Sequence, residues 1–180
     1  MNKIKTTFTL VLFVCTLVWI SFPSVGASSN IWSQVYEINQ NQEVYSMIAT
    51  SDGGYALAGG YSIIDDFWLV KIDHGGNIQW NRTYGGEKND YSNCIVETSD
   101  GGYALAGSTE SFGRGEEDFW LVNTDDDGNM QWNKTYGGPN TEGVYSIVKV
   151  SDGGYALAGD GLFVKTDVYG NMEWNKTITG

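Results

Sequence analysis

Nine residues, Ser51-Asp52-Gly53-Gly54-Tyr55-Ala56-Leu57-Ala58-Gly59, return unaltered at positions 99–107 and again at 151–159. The copies start 48 and then 52 residues apart. Identical segments obey identical local rules, so whatever one such unit folds into, the chain must build three times.

Each unit holds four short runs with strand character. The first covers residues 45–50, 92–98 and 145–150, where β-branched and aromatic residues alternate at period two, the spacing of a strand rather than a helix. Ser-Asp-Gly-Gly then reverses the chain: Asp accepts bonds from backbone amides ahead of it, and Gly supplies the positive φ that hairpin loops demand. The second run, 55–59 and its copies, alternates bulky Tyr and Leu with Ala, and such small residues let another sheet approach closely. The third, Asp66-Phe67-Trp68-Leu69-Val70-Lys71-Ile72-Asp73, recurs at 118–125 and, degraded, as Asp160-Gly161-Leu162-Phe163-Val164-Lys165-Thr166-Asp167. Apolar residues on both of its faces predict burial between layers. A second turn follows at Asp73-His74-Gly75-Gly76-Asn77, 125–129 and 167–171. The fourth run, at 78–84, 130–136 and 172–178, centres on Trp80, Trp132 and Trp174. A further copy of this Trp segment, Ile31-Trp32-Ser33-Gln34-Val35-Tyr36, precedes the first unit.

Four short strands per unit, joined by tight turns, predict an all-β chain of β-propeller-type blades: three repeats of four antiparallel strands in a partial or open propeller. The pattern Asp-Gly-Gly-Tyr-Ala-Leu-Ala-Gly, then Asp-Phe-Trp-Leu-Val-Lys, then Gly-Asn-x-x-Trp-Asn-Lys-Thr-Tyr-Gly-Gly resembles a family of secreted archaeal and bacterial β-propeller repeat proteins. The resemblance spans residues 31–180 and implies the blade architecture; it carries over no catalytic residue. It departs in number, because complete propellers have about four to eight blades.

The N-terminal part reads differently. Lys3 and Lys5 precede an apolar run over 8–20, followed by the small-residue stretch Ser24-Val25-Gly26-Ala27. That layout predicts a signal peptide over 1–27, with a retained membrane anchor as the alternative; the apolar core is shorter than the roughly 20 residues of a spanning helix. The remaining chain divides into a segment over 28–44 carrying the extra Trp strand and three repeats over 45–180, at about 45–91, 92–144 and 145–180. Removing 1–27 takes away two lysines and no acids, so the formal charge of −12 becomes −14. A surface that acidic excludes nucleic acid as a partner. Only Cys94 then remains, which rules out an internal disulfide and reads as a small buried hydrophobe.

In antiparallel blades the first and third connections share one end and the second and fourth share the other. The first end is nearly invariant. At the other, six residues (60–65), then ten (108–117), then none separate the second run from the third. Variable loops on a fixed scaffold are where binding resides, with neutral drift in exposed turns as the alternative. No catalytic constellation emerges. His74 is the only histidine, and the sister turns carry Asp126 and Val168 at its position, so a repeated His role is excluded, as is a His/Cys metal site. Arg82 and Arg114 are too few for the arginine cluster of a propeller sialidase. Paired carboxylates at Asp65/Asp66, Glu116/Glu117/Asp118 and Asp125/Asp126/Asp127 have the residue types for glycoside chemistry, yet read more simply as solvated turns. Asp125-Asp126-Asp127-Gly128-Asn129 also has calcium-loop spacing, but Tyr136 stands where an EF-hand needs Glu, which favours an Asx-type turn. The expectation is therefore no catalytic residue, no metal and no cofactor.

Trp80, Trp132 and Trp174 read as packing between blades ahead of a carbohydrate-stacking platform. Beside them, Asn81, Asn133 and Asn175 each open an N-glycosylation triplet, or simply suit a polar strand face. Two functional classes remain: a non-enzymatic extracellular or cell-surface module binding a protein or glycan through its variable loops, and a carbohydrate-binding or carbohydrate-active protein. Three blades leave apolar surface at both ends, so the chain is expected either to lack blades of a longer propeller or to self-associate.

Overall fold

The computed structural model describes residues 42–61 and 66–178. All described strands belong to the compact unit Asn39–Gly180. The signal-peptide segment and the extra Trp strand at 31–36 lie outside the described residues, as does Asp65.

The strands form three four-stranded antiparallel sheets, each taking its strands in chain order. Sheet I contains β1 (Gln42–Ala49), β2 (Tyr55–Tyr61), β3 (Phe67–Ile72) and β4 (Ile78–Tyr84). Sheet II contains β5 (Asp90–Glu97), β6 (Tyr103–Thr109), β7 (Asp118–Thr124) and β8 (Met130–Tyr136). Sheet III contains β9 (Ser146–Lys149), β10 (Tyr155–Gly159), β11 (Leu162–Thr166) and β12 (Met172–Thr177). No helix occurs among the described residues, and the sheets are not closed into a ring.

The repeated turns follow from their residues. In the first hairpin the Thr50 amide donates to the Gly54 carbonyl at 3.0 Å, and the Gly53 amide donates to the Thr50 carbonyl at 2.9 Å. This is the three-residue loop whose last position needs positive φ, and Gly53 supplies it at 85°. Asp52 caps the loop by accepting the Gly54 amide at 3.0 Å. The same bonds recur at Thr98 and Val150, and again in the β3–β4, β7–β8 and β11–β12 loops.

Strands β3 and β7 are buried throughout, as their two-faced apolar pattern predicts. The core comprises two layers between sheets. Between sheets I and II, Ala56, Ala58, Phe67 and Leu69 meet Ile95, Tyr103, Leu105, Trp120 and Val122. Between II and III, Cys94, Ala104, Ala106, Phe119 and Leu121 meet Ile147, Tyr155, Leu157 and Val164. The alternation in Tyr-Ala-Leu-Ala thus assigns its alanines to one face and its Tyr and Leu to the other, so the small face of each sheet receives the bulky face of the next. Phe67 and Trp120 seal the first layer edge to face, with centroids 4.5 Å apart.

Two features differ from the sequence reading. Strand β1 starts at Gln42, ahead of the alternating run, because an irregularity between Val44 and Ser46 lets the pairing continue across a break in period. In sheet III, Asp160 does not open the third strand. Asp160 and Gly161 form a two-residue hairpin loop with φ of 24° and 72°, the positive-φ pair that such loops require, and β11 begins at Leu162.

Candidate functional site

Antiparallel order puts the first and third loops of every sheet at one end, the turn end, and the remaining connections at the other, the loop end.

At the turn end the hairpin acids are occupied by their own loops. Asp73 accepts the Gly75 and Asn77 amides, both at 2.8 Å. Asp125 accepts the Asn129 amide at 2.7 Å, together with the side-chain amides of Asn129 and Gln131. These bonds, led by the one from the asparagine side chain, hold both carboxyls below the usual range. Asp125 is therefore the anchor of an Asx-type turn. Asp52 is lowered as well, first by its bond to Lys71, then by Thr50. Lys71 is buried and reaches Asp52 at 2.8 Å, and Lys165 reaches both Asp152 at 2.8 Å and Glu173 at 2.9 Å.

Grooves open at this end between neighbouring sheets. One, of 370 Å³, is lined by Asp52, Lys71, Trp80, Glu97, Tyr103 and Asp126. Glu97 crosses it to accept the Ser51 amide and hydroxyl at 3.0 and 2.8 Å. The counterpart between sheets II and III, of 310 Å³, includes Asp100, Asn123, Trp132, Tyr155 and Tyr169.

Trp80 and Trp132 pack between sheets, as expected; Trp174, for which the same packing is expected from its sequence, does not. Trp80 meets Tyr103 of the next sheet at 5.8 Å and Trp132 meets Tyr155 at 6.2 Å. Trp174 is 44% exposed; it pairs with Phe163 of its own sheet at 5.4 Å. Arg82 lies over the Trp80 ring at 5.7 Å, and His74 is exposed in the β3–β4 loop.

Sequence reasoning missed a latch beside each of these two half-buried tryptophans, Trp80 and Trp132. The Tyr84 hydroxyl donates to the Gly128 carbonyl of the next sheet, and the Tyr136 hydroxyl to that of Gly170, both at 2.7 Å. Burial pushes both phenols upward. The available signal was a tyrosine four residues after Trp80 and Trp132 but an isoleucine, Ile178, after Trp174.

The loop end is unequal among the sheets. Residues 110–117 form the connection between β6 and β7 at this end, and it is pinned from several sides. Asp118, buried at the base, accepts the Arg114 and Gly115 amides at 2.7 and 2.9 Å. Asp90, also buried, accepts the Thr109 hydroxyl and, at 2.8 Å, the Gly86 amide. Phe112, 41% exposed, rests on Trp120 at 5.1 Å. On the far side the Glu142 amide donates to the Glu117 carbonyl at 2.9 Å. Asp160 serves its neighbours similarly, accepting the Gly143 amide at 2.7 Å and the Tyr145 hydroxyl at 2.8 Å. Asp118 is thus a loop anchor and is separated in role from its neighbours in sequence. Glu117 is raised, first by burial and then by Glu110, Asp160 and Glu116. Asp66 lies against Gly85, as Asp118 lies against Gly137.

Asn81, Asn133 and Asn175 are all exposed on the last strand of their sheets. The Asn133 side-chain oxygen, Oδ1, accepts the Trp120 indole N–H at 3.1 Å. Cys94 is buried against the Ala106 carbonyl, and burial pushes its thiol up to about 12.

These features define an all-β protein of repeated four-stranded sheets stacked through small-residue faces and aromatic latches. Scans against protein-family models and against curated proteins give no match. Among solved structures, the chain is similar to a protein of unknown function from Bacteroides caccae, with a TM-score of 0.54 and 14% identity over 81% of this chain. The match covers 49% of that protein, so the chain spans about half its length. At that identity the likeness concerns fold alone.

Proposed function

We propose that the three sheets are blades of a β-propeller-type scaffold, exported from the cell, that binds another macromolecule non-enzymatically through its loop end. The observation that carries this reading is the contrast at that end between the projection over 110–117, held by Asp118 and Asp90, and the two-residue loop at Asp160-Gly161 on an equivalent sheet. A pinned projection loses little freedom on binding, which is what a recognition loop needs. Asp118, Asp90 and Asp160 serve there as backbone anchors, and that use supports binding over catalysis. In this reading Asn81, Asn133 and Asn175 are glycan acceptors on solvent-facing edges, where a glycan also blocks edge-to-edge pairing.

The test replaces residues 110–117 by Asp-Gly, the sheet III solution, and measures binding to surface material of the producing organism. The expected result is a folded chain that has lost binding, with a lower melting temperature because Asp118 loses the Arg114 and Gly115 amides and Trp120 loses Phe112. A second reading rests on the grooves, where Trp80 and Trp132 lie among carboxylates and amides, a composition suited to saccharides. A glycan-array signal that survives the loop replacement but disappears in Trp80→Ala or Trp132→Ala replaces the first reading with the second.

A further inference from the structure

Sheets I and III share an ion pair that sheet II lacks. Lys71 and Lys165 occupy the same place in β3 and β11, and each sets its ammonium 2.8 Å from the aspartate of its own first loop, Asp52 or Asp152. In β7 that place belongs to Asn123. Its amide turns across the groove and donates to the Tyr155 hydroxyl of sheet III at 3.2 Å. Asp100, the matching loop aspartate, accepts a hydrogen bond from Thr98 and is solvent exposed. Lys149 acts on it through space, without forming an ion pair among the described residues.

A second departure from the repeat falls on the same groove. The β11–β12 loop carries Val168 and Tyr169, 47% and 67% exposed, where the sister loops carry His74-Gly75 and Asp126-Asp127. Asp100 and Asn123 thus line one side of a 310 Å³ groove, and Tyr169 and Tyr155 line the other, with Trp132 between the sheets. The first change replaces an ion pair within the sheet by a contact to the neighbouring sheet, and the second brings an exposed aromatic to the same groove. The two changes together leave a carboxylate beside aromatic surface.

We propose that this groove binds an alkylammonium group, whose cation takes the place beside Asp100 that a lysine ammonium fills in the sister sheets. The carboxylate accepts a charge-assisted hydrogen bond, aromatic faces attract the cation, and a methylene stem covers ring surface as lysine stems do. The formal charge of −12 favours the encounter. A lysine side chain of a protein partner and a free alkylamine present the same chemistry. The groove lies at the turn end, so the inference stands apart from the reading of the loop end.

The test titrates the whole chain with n-butylammonium, with a short lysine-containing peptide and with the same peptide acetylated on the lysine nitrogen, following NMR signals of Asp100, Asn123 and the Trp132 indole. Saturable shifts are expected with a free ammonium and none with the acetylated peptide. Asp100→Asn weakens binding by about tenfold to a hundredfold, the value of one charge-assisted contact. Asn123→Lys copies the sister sheets and abolishes binding by placing an internal ammonium on Asp100. Tighter binding of the lysine peptide than of butylammonium assigns the site to a protein lysine, and the reverse order to a free amine. No saturable shift with either cation, equal binding of the acetylated peptide, or unchanged binding in Asn123→Lys overturns the proposal.

Discussion

Replacing Tyr84 by Phe keeps the ring in the core and removes one oxygen. In the wild-type chain that hydroxyl donates at 2.7 Å to the carbonyl of Gly128, a buried residue of the next sheet. The variant leaves the carbonyl without this donor in a place where water has poor access. Leaving a buried acceptor unsatisfied costs about 1–3 kcal/mol, and for a chain of this size each kcal/mol lowers the melting temperature by about 2–4 °C. The expected loss is therefore about 2–12 °C, read by calorimetry or urea titration with tryptophan fluorescence. Tyr136→Phe repeats the experiment at the second interface, and the two latches share no partner, so the double variant loses about the sum. Alkaline pH supplies an independent check. Burial raises both phenols, so the folded chain holds these protons more tightly than the unfolded chain does. Their contribution is complete below the ordinary tyrosine value of about 10 and is lost as pH climbs beyond it. Tyr103 and Tyr155 are raised too, so the double variant reduces the alkaline slope rather than removing it. A Tyr84→Phe chain within about 0.5 kcal/mol of wild type, with the wild-type alkaline slope, refutes the latch.

Three further outcomes are expected. Cys94, buried and with its thiol pushed up to about 12, resists thiol-specific reagents at pH 8 in the folded chain and reacts on unfolding; rapid native labelling contradicts its place in the core. Lys71→Met flattens the acid limb of the stability curve, because the lysine depresses Asp52 and that contribution is present above about pH 4 and fades as pH falls. The aspartate side chain is 54% exposed, so solvent screening keeps the effect below about 1 kcal/mol. Gly128→Ala is destabilising by more than about 1 kcal/mol, since φ is 75° there and a Cβ would stand 2.8 Å from the Trp80 ring; unchanged urea unfolding contradicts that packing.

The strands and hairpins were legible because period-two alternation and Gly-rich turns act locally, and three copies of each made the period plain. The facing of Ala56 and Ala58 toward a neighbour also followed from size alone. Partners across sheets were not legible. That Tyr84 reaches Gly128, 44 residues away, depends on how two sheets stack, and alternation along one strand carries no such information. Acids were misgrouped for the same reason: Asp118 sits beside Glu116 and Glu117 in sequence, yet it turns inward to hold backbone amides while Glu116 remains exposed. Asp160 matched Asp66 and Asp118 by alignment, but with so short a connection it had to become part of the loop.

The latch has a bearing on how such a chain grows. Each interface uses a Trp and a Tyr from the last strand of one sheet and a Tyr and a glycine carbonyl from the next. The units of sheets I and II each carry both halves, whereas sheet III has Ile178 in place of the latch tyrosine. Duplicating either of the first two units therefore creates a new junction that is already complementary, with no compensating substitution elsewhere, and excising the second joins two surfaces that already fit. Stability in such an array comes from each unit and its nearest neighbours, so unit number can change by recombination while every copy keeps its loop end free to diverge.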